Sequence, residues 1–373
     1  MLNQYILILL WVGLLALLQS RVCRVEYDRL TDSYQWKVAP WFAVLAVVPL
    51  IWMATNRGYI GDTAVYIGNY LSAPLSLSEI PAYLVTRTKD TGFYLLTVLL
   101  RLIIGANYRI YLFIIASLHA IGVTRFFRKY STNFFFSVFL FIASTDYISW
   151  MFNGIRQFMV VIIILWGTGL MLNEKKQNYF MTYTKLFLLI AMSSTMHQSA
   201  LMMIPFVLIA QGEAWNKRTI LFILLALLAV VFVDRFTDFL DDALQATQYN
   251  SVVSDYTSWG DDGTNPIRVL VYAIPAIFSF MGRRQIQGSG SVLIKFCTNM
   301  SIISTGLYLI SMVTSGIFIG RLPIYCSLFG YILLPWEIEH IFDLRSRKLV
   351  WGAAVLGYLG FYYYQMHVTF GLF

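Results

Sequence analysis

The chain has 373 residues, 58% of them hydrophobic and only 12% charged, with a mean hydropathy of +0.67. A soluble domain is about 45–50% apolar and about 25% charged, so this composition excludes a soluble globular fold and implies a polytopic membrane protein. The formal charge of +8 does not imply nucleic acid, because no soluble basic module exists to hold it; basic cytoplasmic loops account for it.

The apolar runs, such as Leu9 to Leu18, Phe134 to Ile142 and Ile220 to Val233, lack the alternating polarity of barrel strands and therefore predict helices. On the rule that a span needs about 20 apolar residues, spans are predicted near 3–20, 38–54, 108–124, 134–150, 157–172, 182–196, 198–211, 219–233, 267–281, 292–312, 322–337 and 349–366. Residues 92–104 form a shorter run interrupted by Arg101, which reads as a short span, a re-entrant piece or a surface helix. The expected fold is one all-α integral membrane domain over 1–373, with about 12–13 transmembrane helices. The first run is followed by Arg21 and Arg24 rather than a cleavage site, which predicts an uncleaved span. Cys23, Cys297 and Cys326 are scattered and suggest neither a zinc site nor a disulfide framework.

Orientation follows from basic residues in short loops. The clusters are Arg21/Arg24/Arg29/Lys37, Arg125/Arg128/Lys129, Lys175/Lys176/Lys185, Lys217/Arg218, Arg283/Arg284/Lys295 and Arg345/Arg347/Lys348. All of them share one side if 92–104 does not cross, and that side is expected to be the cytoplasm. The outer face then holds a first long loop over 55–107, the breaks at Asn153-Gly154-Ile155-Arg156-Gln157 and Thr195-Met196-His197-Gln198-Ser199, an Asp-rich loop over 234–266, and a turn over 314–321. Loops this long are usually functional or disordered.

Arginine on the outer side runs against the positive-inside trend, so Arg57, Arg156 and Arg321 each need a partner. One reading is an interfacial anchor that reaches headgroups or pairs with a nearby Asp. Several at the mouths of spans favour an anion site, since guanidinium stays charged and grips phosphate bidentately. His197 reads either as a loop histidine bonded to backbone or as a general base or phosphate donor. Asp62 could orient or deprotonate a hydroxyl, or simply pair with Arg57. The Asp241/Asp242 and Asp261/Asp262 pairs offer oxygen ligands, but their spacing fits no calcium loop and a solvated acidic loop is preferred. A Walker glycine loop, HExxH and GxSxG are all missing from the sequence, which argues against an ATP-driven pump or a zinc protease.

With these residues in place, the chain resembles the EpsG family of bacterial exopolysaccharide membrane proteins, related to Wzy-type O-antigen and capsule polymerases. The resemblance rests on Arg57 followed by Asp62-Thr63 and Tyr66, on Asp90-Thr91-Gly92-Phe93, on Asn153 to Gln157, on Met196-His197-Gln198-Ser199-Ala200-Leu201, and on Gly320-Arg321-Leu322-Pro323-Ile324-Tyr325. It implies a GT-C-like glycosyltransferase bundle in the bacterial cytoplasmic (inner) membrane, joining undecaprenyl-diphosphate-linked oligosaccharide repeat units at the outer face without metal or cofactor. Carried onto this chain, Arg156 and Arg321 would hold the donor diphosphate, with Arg57 as a third clamp. His197 or Asp62 would deprotonate the acceptor hydroxyl. A chain-length regulator and a flippase are the protein partners it implies, beside membrane lipid. A transporter or flippase of lipid-linked saccharide would use the same cations but is expected to show internal repeats, which the sequence lacks. A membrane O-acyltransferase would also use a single histidine.

Overall fold

The structure, a computed structural model, describes residues 3–174, 178–244 and 261–372. Lys175 and Lys176 of one basic cluster, and residues 245–260 of the Asp-rich loop, which include Asp255, lie outside the described residues. Each predicted span falls on helix, giving an all-α polytopic membrane protein. The helices Gln4–Val22, Tyr108–Tyr130 and Val292–Met312 are each long and apolar enough to cross a membrane alone. Two further pairs qualify if a bent pair counts as one span. A hairpin of strands Arg24–Asp28 and Ser33–Lys37 is the one sheet among the described residues.

By packing, the chain forms two compact units. The first comprises Met1–Glu26, Tyr34–Ile204 and Leu356–Phe373. Its centre is the Tyr108–Tyr130 helix, packed against Pro40–Asn56 and Ile155–Trp166. Gln4–Val22 lies on Phe134–Ala143. The terminal segment is tied in by Tyr362, whose hydroxyl sits 3.0 Å from that of Tyr147 and donates to the Tyr5 carbonyl at 2.8 Å.

The predicted span over 134–150 is not one straight helix. Phe134–Ala143 breaks at Thr145, which takes a left-handed φ of 60°, and the chain resumes as a π-wound turn over Tyr147–Asn153 bent by 75°. A β-branched residue at positive φ is strained, and π-turns concentrate where a helix must redirect its chain. The bend delivers Asn153-Gly154 to the start of the next helix. Residues 92–104 fall in a Thr91–Ile104 helix that buries Phe93, Thr97, Val98 and Arg101 and exposes the opposite face. At 1.5 Å per residue it spans about 21 Å, short of a hydrocarbon core about 30 Å thick. Arg101 spends its charge locally, donating to the carbonyls of Gly105 (3.1 Å) and Leu71 (3.3 Å).

The second unit comprises Tyr27–Ser33 and Pro205–Val355. Val292–Met312 runs through its middle, against Lys217–Val231, Pro266–Met281 and Ile324–Ile341. Its Asn299 is fully buried yet fully used: Nδ2 donates to the carbonyls of Ala210 and Glu213, both at 2.9 Å, and Oδ1 accepts from the Trp215 N–H at 3.0 Å. A buried amide must be satisfied in this way, and here the requirement fixes the 210–219 turn. Asp261 is a clasp rather than a solvated acid. Its carboxylate accepts from the Ser315 hydroxyl (2.7 Å) and from the N–H groups of Gly263 (3.1 Å), Gly316 (3.0 Å) and Ile317 (2.9 Å). That clasp shapes the turn leading to Arg321.

Candidate functional site

The first unit collects four of the polar motifs. Arg57 ends the Pro40–Asn56 helix and folds back on it, Nη1 donating to the Ala54 carbonyl and Nε to the Thr63 hydroxyl at 3.0 Å. Its guanidinium also lies 5.4 Å from the Phe152 ring centre. Arg57 and Asp62 are therefore not paired to each other. Asp62 is held through its backbone instead: its N–H donates to Asn153 Oδ1 at 3.0 Å. Gly61 makes this approach feasible. Its φ is +52°, and an added Cβ would stand 2.4 Å from Asn153 Oδ1. Asp62 is exposed at the start of the Thr63–Leu71 helix, and its side chain caps no N–H of that helix.

Arg156 lies in the first turn of Ile155–Trp166. Its Nη1 is 2.8 Å from Asp90 Oδ2, and the Arg156 side chain is 31% exposed against 8% for Asp90. Asp90 itself has a left-handed φ of 55° at the start of Thr91–Ile104 and accepts the backbone N–H of Gln198. Burial pushes the Asp90 carboxyl above its ordinary range, and Arg156 pulls it back. Two residues on, the Gly92 N–H donates to the Thr195 carbonyl at 2.8 Å, and a Cβ on Gly92 would meet Thr195 Oγ1 at 2.4 Å. Gly92→Ala is therefore expected to push these two segments apart and cost about 1–3 kcal/mol. A lower unfolding temperature in detergent is the outcome to look for; an unchanged melting curve would sink it.

His197 belongs to the same junction. Its Nδ1 is 2.7 Å from the Ser199 hydroxyl and accepts the Ser199 N–H at 3.4 Å, capping the Gln198–Met202 turn. The hydroxyl contact suits either neutral tautomer, whereas the cap to the Ser199 N–H needs an unprotonated Nδ1. The turn that His197 caps is the one whose Gln198 N–H reaches Asp90.

Asp62, Tyr66, Tyr94, Thr97, Tyr111 and Arg156, with Val65, Asn69 and Phe93, line a cleft of about 20 Å³. That is room for about one water molecule. Its floor is a cluster in which Tyr70 stacks on Tyr111 at 4.4 Å and Tyr66 meets Phe93 edge-on at 6.1 Å. The Arg156 guanidinium lies 5.9 Å from the Tyr66 ring centre. Two guanidinium nitrogens, Nε of Arg156 and Nη2 of Arg57, are buried without an acceptor among the described residues. A buried cationic donor left unmatched is costly, so both are suited to an incoming anion.

Arg57, Asp62, Arg156 and His197 thus share one unit. Arg321 belongs to the second, in the turn Ile319–Arg321, where a Cβ on Gly320 would lie 2.7 Å from Thr264 Oγ1. Sequence reasoning did not single out Asp90, Asn153 or Tyr66 as working residues of the site. The signal for Asp90 was present, as a carboxylate among outer-face arginines. Its pairing with Arg156 rather than with Arg87 or Arg57 is a matter of packing.

A family model described as the EpsG family matches residues 40–371. No curated protein and no solved structure matches the chain.

Proposed function

The chain belongs to the EpsG family, a polysaccharide-polymerase-like family, and from that premise we propose that it is a GT-C-like polymerase of lipid-linked repeat units. Its substrates are oligosaccharides carried on undecaprenyl diphosphate, joined at the outer face of the bacterial inner membrane into an O-antigen, capsule or exopolysaccharide. The observation that supports this reading is the cleft that places the Asp62 carboxylate and the Arg156 guanidinium on one wall-to-wall site.

In this proposal the donor diphosphate replaces Asp90 as the partner of Arg156. The cleft has to open for this, since it now admits only a water-sized body. Arg57 lies behind Thr63 with one unmatched donor and serves as the second cation. The acceptor hydroxyl oxygen attacks the anomeric carbon of the donor sugar as the bond from that carbon to the diphosphate oxygen breaks. Asp62 takes the hydroxyl proton, and undecaprenyl diphosphate leaves. Negative charge grows on the leaving group, where preorganised guanidinium donors stabilise it better than water can. His197 is the alternative base. Its capping contact favours a positioning role, in which it holds the Gln198 turn that supports Asp90. Arg321 is the candidate cation of the second unit, tested by Arg321→Ala with the same readout.

The direct test is reconstitution. Protein in liposomes supplied with lipid-diphosphate-linked repeat units and no nucleotide is expected to yield a ladder of oligomers on a gel. Unchanged single units with correctly folded protein would remove the polymerase assignment. Transport of the units across the bilayer instead would favour a flippase.

A further inference from the structure

Away from that cleft, the first unit carries a second polar cavity of about 410 Å³. It lies between the last turns of Tyr108–Tyr130, the end of the 155–171 segment and the first turns of Tyr179–Ser194. Three cations line it: Arg125, Lys129 and Lys185. The one carboxylate in its wall, Glu174, is already engaged, 2.8 Å from Lys129 Nζ and accepting the Tyr130 hydroxyl at 2.7 Å. Arg125 is exposed and makes no ion pair with any described residue; its guanidinium is held 5.5 Å from the Trp166 ring centre. The polar floor comprises Asn173 and Thr182, whose hydroxyl donates to Asn173 Oδ1 at 3.3 Å.

We propose that this cavity binds the phosphodiester headgroup of an anionic phospholipid. The lining carries three cations and one carboxylate, a formal surplus of positive charge, and Arg125 in particular is not ion-paired to any described carboxylate. A guanidinium held over an indole by cation–π attraction still has its N–H donors available to an anion. The surroundings select a lipid over a soluble phosphate. Trp166 in its wall is 50% exposed, and Tyr179 and Phe180, which open the helix that supplies Thr182 and Lys185, are 68% and 81% exposed. Rings of this kind mark the membrane–water boundary, where basic pockets between helices take lipid headgroups. Both basic clusters that build the cavity belong to the expected cytoplasmic side, so the inner leaflet supplies the ligand.

The experiment uses the full chain purified in detergent. Its unfolding temperature is followed while phosphatidylglycerol, phosphatidylcholine or inorganic phosphate is added, and retained lipid is counted by native mass spectrometry. The wild type is expected to be stabilised by phosphatidylglycerol and not by phosphatidylcholine or phosphate. Arg125→Ala/Lys185→Ala, which changes two exposed side chains, is expected to weaken phosphatidylglycerol binding about thirtyfold. Arg109→Ala, at the other end of the same helix, should bind as the wild type does. Equal phosphatidylglycerol binding by the wild type and the double variant would overturn the proposal, as would equal stabilisation by inorganic phosphate.

Discussion

Replacing Arg156 by alanine is expected to lower polymer formation by about 10²–10³-fold, the usual effect of removing one donor to a developing oxyanion. Single repeat units would then accumulate on the lipid carrier or at the cell surface. Arg156→Lys keeps the charge and loses the planar fork, so it should recover only part of the activity. Arg156→Ala also strands Asp90, a carboxylate 8% exposed, which by itself destabilises the junction of the three segments around it. Arg156→Ala/Asp90→Ala removes that burden. If the double variant folds well and remains inactive, the defect lies in the missing cation; if it polymerises normally, Arg156 holds structure and not substrate. Trapping of units inside the cell would indicate a flippase, and full-length polymer lacking an acyl group would indicate an acyltransferase.

The choice of base yields the second large effect. Asp62→Asn preserves shape and the backbone bond to Asn153 but cannot accept a proton. It is expected to reduce turnover by about 10²–10⁴-fold, with a smaller effect on substrate binding. His197 separates from it by substitution with asparagine, a good N-cap residue whose side-chain oxygen can take over the Ser199 N–H. A capping histidine predicts that His197→Asn keeps most activity while His197→Ala loses stability and activity together. A catalytic histidine predicts that both are dead. Full activity in Asp62→Asn with none in His197→Asn would reverse the assignment of the base.

Much of the fold is legible from composition and run length, because a bilayer demands long apolar helices and tolerates little else. Each predicted span fell on helix for that reason. The bend of 75° after Ala143 was not legible. The polar triplet Ser144-Thr145-Asp146 marks the place in the sequence, but hydropathy averaged over a span does not record that Thr145 turns left-handed there or that the chain resumes as a π-wound turn. The acidic pair at 261–262 misleads in the same way. Only folding brings Ser315, Gly316 and Ile317 onto Asp261 and turns a solvated acid into a clasp.

For the site, the sequence by itself determined which residue types were available. Arginines, a histidine and an aspartate interrupt grease, and the energetic cost of placing them there makes them conspicuous in one dimension. Tertiary structure alone decided how they are shared out. It paired Arg156 with Asp90, left Asp62 free of Arg57 at the mouth of the cleft, and set His197 as the cap of the turn behind Asp90. Partners in space 66 residues apart in the chain are chosen by helix packing and by the close approaches at Gly61 and Gly92, and no local pattern encodes that choice.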